Sequence, residues 1–280
     1  MLIGSIRDKK RLDEVFETYH PTVVFHAAAH KHVPLMEVSP AEAVKNNVLG
    51  TKNLLTSASE HGEERFVQLS TDKAVNPTSV MGCTKRICEM LIQTFAGNTD
   101  MKCVAVRFGN VLGSHGSVIP LFEAQIKKGG PVTLTDPNIE RYFMTIPEAA
   151  QLVLQAGALA ESGSIYVLDM GEPVKIMDLA KQLIRFYGYE PGVNMEIKIV
   201  GLRPGEKLYE ELMMDEEQDK MRRTEHNKIF VAPPRQIDLA DFYSQLQALT
   251  AAAEHNDEGV VKQLAEMIPT FTPTRSNLKT

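Results

Sequence analysis

The chain has 280 residues, 43% of them hydrophobic, and a net charge of −6, which is enough apolar material for one large domain or two smaller ones. Both signs of charge are interspersed and no long basic run occurs, which argues against a nucleic-acid surface. The apolar runs are too short to span a bilayer and no signal peptide is visible, so we expect a cytoplasmic protein without a membrane segment in this chain.

The first half of the chain alternates between strand and helix patterns. The predicted strands are 2–6, 22–27, 65–70 and 102–108, and the predicted helices between them are 9–19, 40–61 and 80–95. Alternation at this spacing predicts βαβ units and a parallel sheet.

The second half is less regular and contains the remaining elements. The predicted strands are 132–135, 142–146, 164–168, 196–200 and 228–231, and the predicted helices are 118–127, 147–160, 175–186, 206–213, 236–254 and 258–267. We therefore divide the chain into a partial dinucleotide-binding domain (1–115), a mainly substrate-binding region (116–235), and C-terminal helices with a polar tail (236–280).

A glycine-rich phosphate loop is missing before Asp8. A dinucleotide-binding sheet normally begins with a strand, such a loop, and a helix whose N-terminus holds the pyrophosphate. The expected fold is therefore α/β, a Rossmann-like doubly wound parallel sheet that lacks its first βαβ unit, with a smaller α/β substrate-binding region. We also expect this polypeptide alone to bind NAD or NADP weakly or not at all.

Polar side chains follow the predicted strand 65–70 where it ends. Thr71, Asp72 and Lys73 come next, and ligands of open parallel sheets bind beyond the carboxyl ends of the strands. A hydroxyl can bind a substrate oxygen, a carboxylic acid can protonate a leaving hydroxyl, and an amine beside a cation can act as base. The set suits elimination of water next to a carbonyl. The alternative is an aspartate that caps a turn beside a solvated lysine.

Met81 and Lys85 lie four residues apart on the predicted helix 80–95, so they share one helix face. With them, the segment 70–86, STDKAVNPTSVMGCTKR, resembles the signature of nucleotide-sugar 4,6-dehydratases of polysaccharide biosynthesis, which are extended short-chain dehydrogenases/reductases. The resemblance extends over about residues 2–234 and implies NAD- or NADP-dependent dehydration of a UDP-N-acetylhexosamine, with UDP-N-acetylglucosamine favoured, to its 4-keto-6-deoxy sugar.

The resemblance also implies which side chains contact each ligand. Asp72 would protonate the departing C6 hydroxyl, Lys73 would remove the C5 proton, and Thr71 would bind the C4 oxygen. The cofactor side would comprise Ile6, Asp8, Ala27, Ala28, Ala29, Lys31, Asn46, Lys85 and Phe108. The substrate side would comprise His30, Asn110, Val118, Arg141, Arg203 and Glu206. No metal site is expected, because no third ligand accompanies His30 and His32.

Met81 occupies a position where most short-chain dehydrogenases have a tyrosine that takes the sugar hydroxyl proton. Methionine cannot titrate, although a subgroup of the dehydratases shares it. The hypothesis is that Lys85, Asp72 or a bound water accepts that proton, and unchanged turnover in both Met81→Tyr and Lys85→Ala would contradict it.

Two other functions remain open at this point. A nucleotide-sugar 4-epimerase shares the fold but needs no acid and base at C5 and C6. A truncated, non-catalytic fragment is the second alternative. Family resemblance further implies a homo-oligomer, with helices 40–61 and 80–95 as the packing face, and full-length relatives that are often membrane-anchored.

Overall fold

The computed structural model describes residues 1–114 and 116–273. Its helices are α1 (Lys9–Tyr19), α2 (Val33–Val38), α3 (Pro40–Ala43), α4 (Gly50–Glu60), α5 (Val80–Ala96), α6 (Val118–Lys127), α7 (Ile146–Leu159), α8 (Ile176–Phe186), α9 (Asp215–Gln218), α10 (Leu239–Glu254) and α11 (Val260–Met267). Its strands are β1 (Val23–His26), β2 (Arg65–Leu69), β3 (Lys102–Arg107), β4 (Asn110–Val111), β5 (Val132–Leu134), β6 (Glu140–Arg141), β7 (Phe143–Met144), β8 (Ile165–Leu168), β9 (Val174–Lys175), β10 (Ile197–Ile199), β11 (Arg222–Arg223) and β12 (Ile229–Val231).

Six of the strands form the central sheet, in the order β1-β2-β3-β8-β12-β11. The first four are parallel, and β12 and β11 extend the sheet antiparallel. The middle strands are apolar and buried on both faces, as expected where helices cover a parallel sheet. The predicted α/β fold with a parallel sheet is confirmed.

Separate apolar clusters surround the sheet. One face packs against α4, α5, α10 and α11, and the other packs against α7. A third cluster joins α6, β5 and α8 in the segment that we assign to substrate binding. The three-part division of the chain stays a prediction, and the predicted tail after residue 273 lies outside the described residues.

Three predicted elements differ from the structure. Residues 2–6 form no strand, and Leu2 and Ile3 are exposed instead of paired in the sheet. Residues 206–213 form bends and irregular backbone instead of a helix, and the carbonyls of Lys207 and Leu208 accept hydrogen bonds from Arg141. The predicted helix 40–61 is interrupted by a π-helical segment, Val44–Leu49, and the short α2 was not predicted.

Helix α5 is buried on nearly every side because the C-terminal helices pack against it. Cys83 donates to the carbonyl of Leu264 in α11, and the hydroxyl of Tyr243 in α10 donates to Thr94. The face of α5 that we expected to receive a second copy is therefore covered by the same chain. Within the described ranges, no helix is long and apolar enough to cross a membrane.

A buried ion-pair network lies beneath the carboxyl end of β2. Arg107 is fully buried and donates to Glu89 at 3.0 and 2.8 Å and to Glu217 at 2.9 Å. Arg86 and the hydroxyl of Ser70 also donate to Glu89. Burial raises the pKa of Glu89, but the two arginines and Ser70 lower it by more, to about 2. The network fixes Ser70, the residue before Thr71, to α5 and β3.

His26 is a second buried ionisable group, and it predicts a pH dependence of stability. Its Nε2 lies 2.9 Å from the hydroxyl of Thr51, and burial, with the charge of Lys85, lowers its pKa to about 3. The unfolded state therefore takes up a proton below about pH 6.5 that the folded state does not, so stability is lost as pH falls from there.

Replacing His26 by Gln is expected to remove most of that loss. Between about pH 7.5 and about pH 5, the wild type should lose about 2 kcal/mol through His26 that the variant keeps, as measured by urea unfolding. The matched control is His255→Gln, at an exposed position at the end of α10, which should follow the wild type. Equal pH dependence in all three proteins would contradict the assignment.

Candidate active site

The carboxyl end of β2 continues into a short 3₁₀ turn, Asp72–Ala74, that brings the predicted acid and base together. The Thr71 hydroxyl caps this turn and donates to the Asp72 carboxylate at 2.8 Å. The same Oδ1 of Asp72 accepts from the backbone N–H of Lys73 and from its Nζ, both at 2.9 Å. Asp72 is fully buried, whereas the Lys73 side chain is 22% exposed. Of the predicted set, Lys73 and Thr71 thus reach outward and Asp72 stands behind them.

Helix α5 packs directly on this turn because residue 82 is a glycine. A Cβ at Gly82 would lie 2.1 Å from the carbonyl oxygen of Lys73, so any side chain there would separate helix and turn. Ser79 caps the helix by accepting from the backbone N–H of Gly82. The contact places Met81 and Lys85 beside the turn.

Lys85 is fixed to the end of β2. Its Nζ donates to the carbonyl of Leu69 at 2.5 Å, and burial lowers its pKa although Cys88 and Glu89 oppose this. Met81 is 4% exposed and offers no ionisable group. Lys85 is therefore the titratable side chain that α5 places one helical turn from Met81.

A cleft of about 500 Å³ runs past these residues. It is lined by thirteen of the predicted site residues: Ala27, Ala29, Lys31, Thr71, Lys73, Met81, Lys85, Phe108, Asn110, Val118, Arg141, Arg203 and Glu206. Outside its lining lie Ile6, Asp8, Ala28, His30, Asn46 and Asp72.

The residues outside the lining have other contacts. Asp8 caps α1 by accepting from the backbone N–H of Arg11, and Ile6 packs against Gly50. Asn46 donates to its neighbour Asn47, and Asn47 is the buried one of the two. The side-chain amide of Asn47 accepts from the backbone N–H of His30 and donates to the carbonyl of His30 and to the hydroxyl of Thr84. Asn47 thereby fixes the loop that supplies Ala29 and Lys31, and it lies in the π-helical segment, which is a frequent feature of functional sites.

The charges around Lys73 differ from the expected cationic environment. Burial lowers the pKa of Lys73, but the carboxylates of Asp72 and Glu210 raise it by more, so the net shift is upward. Asn110 also accepts from its Nζ at 3.3 Å. Lys73 is thus an ammonium ion in the resting site, and a role as base requires that it first pass a proton to a neighbour.

Arg141 lines the cleft and also binds the main chain of a neighbouring segment. Its guanidinium donates to the carbonyls of Glu140, Lys207 and Leu208 at 2.7 to 3.1 Å. These bonds hold the 206–210 segment against the cleft, with Glu206 3.6 Å and Glu210 3.7 Å from the guanidinium. Arg141 therefore clamps this segment through the main chain, and its expected contact with the substrate stays a prediction.

Arg203 is the arginine that remains available for an anionic ligand. It is exposed, lines the cleft, and its guanidinium has no hydrogen bond or ion pair within residues 1–114 and 116–273. Glu206 accepts from the backbone N–H of Arg203 and from the hydroxyl of Thr135. The loop of Arg203 is thus held in place while its charge faces solvent.

Glu210 is a cleft residue that sequence reasoning missed. Its side chain is 4% exposed and lies 3.7 Å from both Lys73 and Arg141. Burial, with the charge of Asp72, raises its pKa although Lys73 and Arg141 oppose this. The segment was predicted as a helix, and a glutamate there carries no signal that separates it from a surface residue.

The sequence comparisons agree on one family. A model described as "Polysaccharide biosynthesis protein" matches residues 1–234. The capsular polysaccharide biosynthesis protein CapD of Staphylococcus aureus is 61% identical over 213 residues, covering 76% of this chain and 35% of CapD, so the chain spans about a third of that relative. The UDP-glucose 4-epimerase of Rickettsia canadensis is 35% identical over 295 aligned positions, covering 99% of this chain and 82% of the epimerase.

Solved structures extend the comparison to the fold. Pen from Bacillus thuringiensis is 38% identical with a TM-score of 0.77, covering 83% of this chain and 71% of Pen. DesIV, a dTDP-glucose 4,6-dehydratase from Streptomyces venezuelae, has a TM-score of 0.69 at 20% identity, over 91% of this chain and 79% of DesIV. At that identity the likeness shows the fold alone, which is a Rossmann-like α/β fold.

Proposed function

This chain belongs to the polysaccharide biosynthesis protein family, and from that premise we propose that it dehydrates a UDP-N-acetylhexosamine to the 4-keto-6-deoxy sugar. UDP-N-acetylglucosamine is the substrate that we favour. The observation that carries the proposal is the Lys73–Asp72 pair, joined at 2.9 Å with Lys73 facing the cleft. The family is one of nucleotide-sugar-modifying enzymes, and dehydration is the reaction in it that needs a proton donor and acceptor side by side.

The side chains beyond the carboxyl ends of β1, β2 and β3 support a nicotinamide site in the cleft. Ala27 and Ala29 leave the cleft wall free of bulky side chains, and the Lys85 ammonium lies one helical turn from Met81. NAD or NADP, when bound there, would supply the hydride acceptor and donor for the C4 and C6 positions of the sugar. Lys85 would hold the ribose hydroxyls, and Phe108 would form the wall next to the sugar. Arg203 would bind the diphosphate of the substrate.

The elimination step needs a base and an acid, and one proton shared by Lys73 and Asp72 can provide both. Transfer of a proton from Lys73 Nζ to Asp72 Oδ1, along their hydrogen bond, gives a neutral amine and a carboxylic acid. The amine takes the C5 proton, the electron pair of that bond forms the C5–C6 double bond, and the C6–O bond breaks. The hydroxyl leaves as water with the proton of Asp72, and the ammonium–carboxylate pair is restored.

Thr71 connects the buried acid to the cleft. Asp72 is outside the cleft lining, but the Thr71 hydroxyl lies 2.8 Å from its carboxylate and does line the cleft. We propose that the proton of Asp72 reaches the leaving oxygen through this hydroxyl. Thr71 would thus serve the C6 oxygen in addition to the C4 oxygen expected from the sequence.

A 4-epimerase is the second candidate. The observation in its favour is the 35% identity to the Rickettsia canadensis protein over nearly the whole chain. An epimerase shares the oxidation at C4 but leaves the C5–H and C6–O bonds intact, so the Asp72–Lys73 pair would have no proton to move.

Mass spectrometry separates the candidates. The full chain is incubated with UDP-N-acetylglucosamine and either NAD or NADP, in ordinary water and in D₂O. Dehydration gives a product lighter by one water that carries deuterium at C5 in D₂O, because C6 receives the hydride that came from C4 and C5 receives a solvent-derived proton. An epimer of unchanged mass without deuterium would support the epimerase, and unchanged substrate with every tested UDP-sugar would favour the non-catalytic alternative. UDP-glucose is the matched control substrate.

A further inference from the structure

We propose that Glu210 is a positioning residue that acts through Lys73, holding it as an ammonium ion beside Asp72. The part of Glu210 in the reaction rests on the proposed function, whereas its effect on the Lys73 ammonium rests on the geometry alone. Lys73 thus has two carboxylate partners, one adjacent in the chain and one supplied by a distant loop.

The position of Glu210 is the first support. Its Oε1 lies 3.7 Å from Lys73 Nζ and 3.7 Å from Arg141 Nε, and the side chain is 4% exposed. Asp72 Oδ1 approaches the same Nζ from the turn at 2.9 Å. The ammonium of Lys73 is therefore shared between two acidic side chains, which stabilises its protonated form.

The way in which Glu210 is held is the second support. Arg141 is fixed by three backbone carbonyls and presents Nε to Glu210, so the carboxylate has an anchor independent of Lys73. Its second oxygen, Oε2, is buried and has no hydrogen-bond partner within the described part of the chain. An unpaired buried carboxylate oxygen is costly, and such groups need a reason.

The charged groups that face this pair are Asp72, Arg141 and Lys207, in addition to Lys73 and Glu210 themselves. Asp72 repels the charge of Glu210, whereas Arg141 and Lys207 stabilise it. Removing the negative charge of Glu210 leaves Lys73 with Asp72 as its carboxylate partner and with Arg141 still nearby. The charges of Asp72 and Arg141 act on Lys73 in the wild type as well, so Glu210→Gln isolates the contribution of Glu210 to the pKa of Lys73.

The first experiment needs no turnover. An amine-reactive reagent labels the chain briefly across a pH series, and peptide mass spectrometry gives the pH of half-maximal labelling of Lys73, whose side chain is 22% exposed in the cleft. In Glu210→Gln this midpoint is expected to fall by about one pH unit, since an opposite charge at this distance shifts a pKa by about one to three units. Glu211→Gln is the matched control, because Glu211 pairs with Lys207 at 2.8 Å, and it should leave the midpoint unchanged.

A midpoint that is equal in the wild type and in folded Glu210→Gln overturns the proposal. Should Glu210→Gln fail to fold, Glu210→Asp is measured instead. It keeps the charge but moves it away from Lys73, so the midpoint should fall in the same direction by a smaller amount, and no fall would again overturn the proposal.

The second experiment tests the role in the reaction. If the chain dehydrates UDP-N-acetylglucosamine, the alkaline limb of its kcat–pH profile, where Lys73 loses the proton that it must pass to Asp72, should move to lower pH in Glu210→Gln by the same amount as the labelling midpoint, and KM should change by less than about threefold. If the labelling midpoint of Lys73 moves but the limb of the kcat–pH profile does not, Glu210 has no part in catalysis. No product from the wild type would refute the proposed function and leave the labelling result standing.

Discussion

Replacing Lys73 by Met is expected to lower turnover of UDP-N-acetylglucosamine by about 10²- to 10⁴-fold, the usual contribution of a positioned acid or base. Met matches the length of the lysine stem but cannot carry a proton between C5 and Asp72. Substrate binding should change much less, because Arg203 and not Lys73 is assigned to the diphosphate. The measurement is kcat and KM for the 4-keto-6-deoxy product.

Lys73→Arg distinguishes a proton carrier from a structural cation. Arginine keeps the positive charge beside Asp72 and Glu210 but does not lose its proton in proteins, so this variant should be as impaired as Lys73→Met. The control is Lys228→Met, at a lysine that pairs with Glu148 on the surface, and it should retain wild-type turnover. Activity of Lys73→Arg within about tenfold of the wild type would rule out Lys73 as the base.

The second large effect is expected on stability. Arg107→Met should lower the free energy of unfolding by about 3–5 kcal/mol, the cost of removing one partner of a buried ion pair. The substitution leaves Glu217 without the Arg107 guanidinium, and leaves Glu89 with Arg86 as its remaining cationic partner. Urea unfolding near neutral pH measures the change.

Arg222→Met is the matched control for that substitution. Arg222 pairs with Glu161, but both side chains are more than half exposed, and such surface pairs contribute between about 0 and 1 kcal/mol. The prediction for Arg107 would be wrong if the two substitutions lowered the free energy of unfolding by similar amounts. Measuring the wild type and Arg107→Met again in acid adds a second test.

In the wild type, Glu89 stays charged in the folded state down to about pH 2. The stability that the charge of Glu89 contributes to the wild type should therefore fade as pH falls from the ordinary glutamate pKa of about 4.3, and the difference from Arg107→Met should shrink with it.

The parts of the site that could be predicted from the sequence are those that are adjacent in the chain. Thr71, Asp72 and Lys73 follow an apolar strand directly, and Met81 and Lys85 have helical spacing, so local patterns were sufficient to group them. The parallel sheet could be predicted for the same reason, because each βαβ unit is a local alternation of strand and helix.

The remaining parts depend on contacts between distant segments. Glu210 approaches Lys73 from the 206–210 loop, whose main-chain carbonyls are bound by Arg141, and a carbonyl carries no sequence signal. The predicted helix 206–213, which does not form, covers the same carbonyls. The raised pKa of Lys73 could not be predicted either, because Glu210, the charged neighbour that contributes most after Asp72, comes from that loop.

The C-terminal helices have a consequence for any shortened version of this protein. The family match ends at residue 234, yet α10 and α11 complete one apolar cluster through Phe242, Leu246 and Leu264. A cut at the family boundary would remove their contribution and uncover the outer side of α5. The unit that folds cooperatively is thus longer than the unit that the family shares, and expression trials should begin from the former.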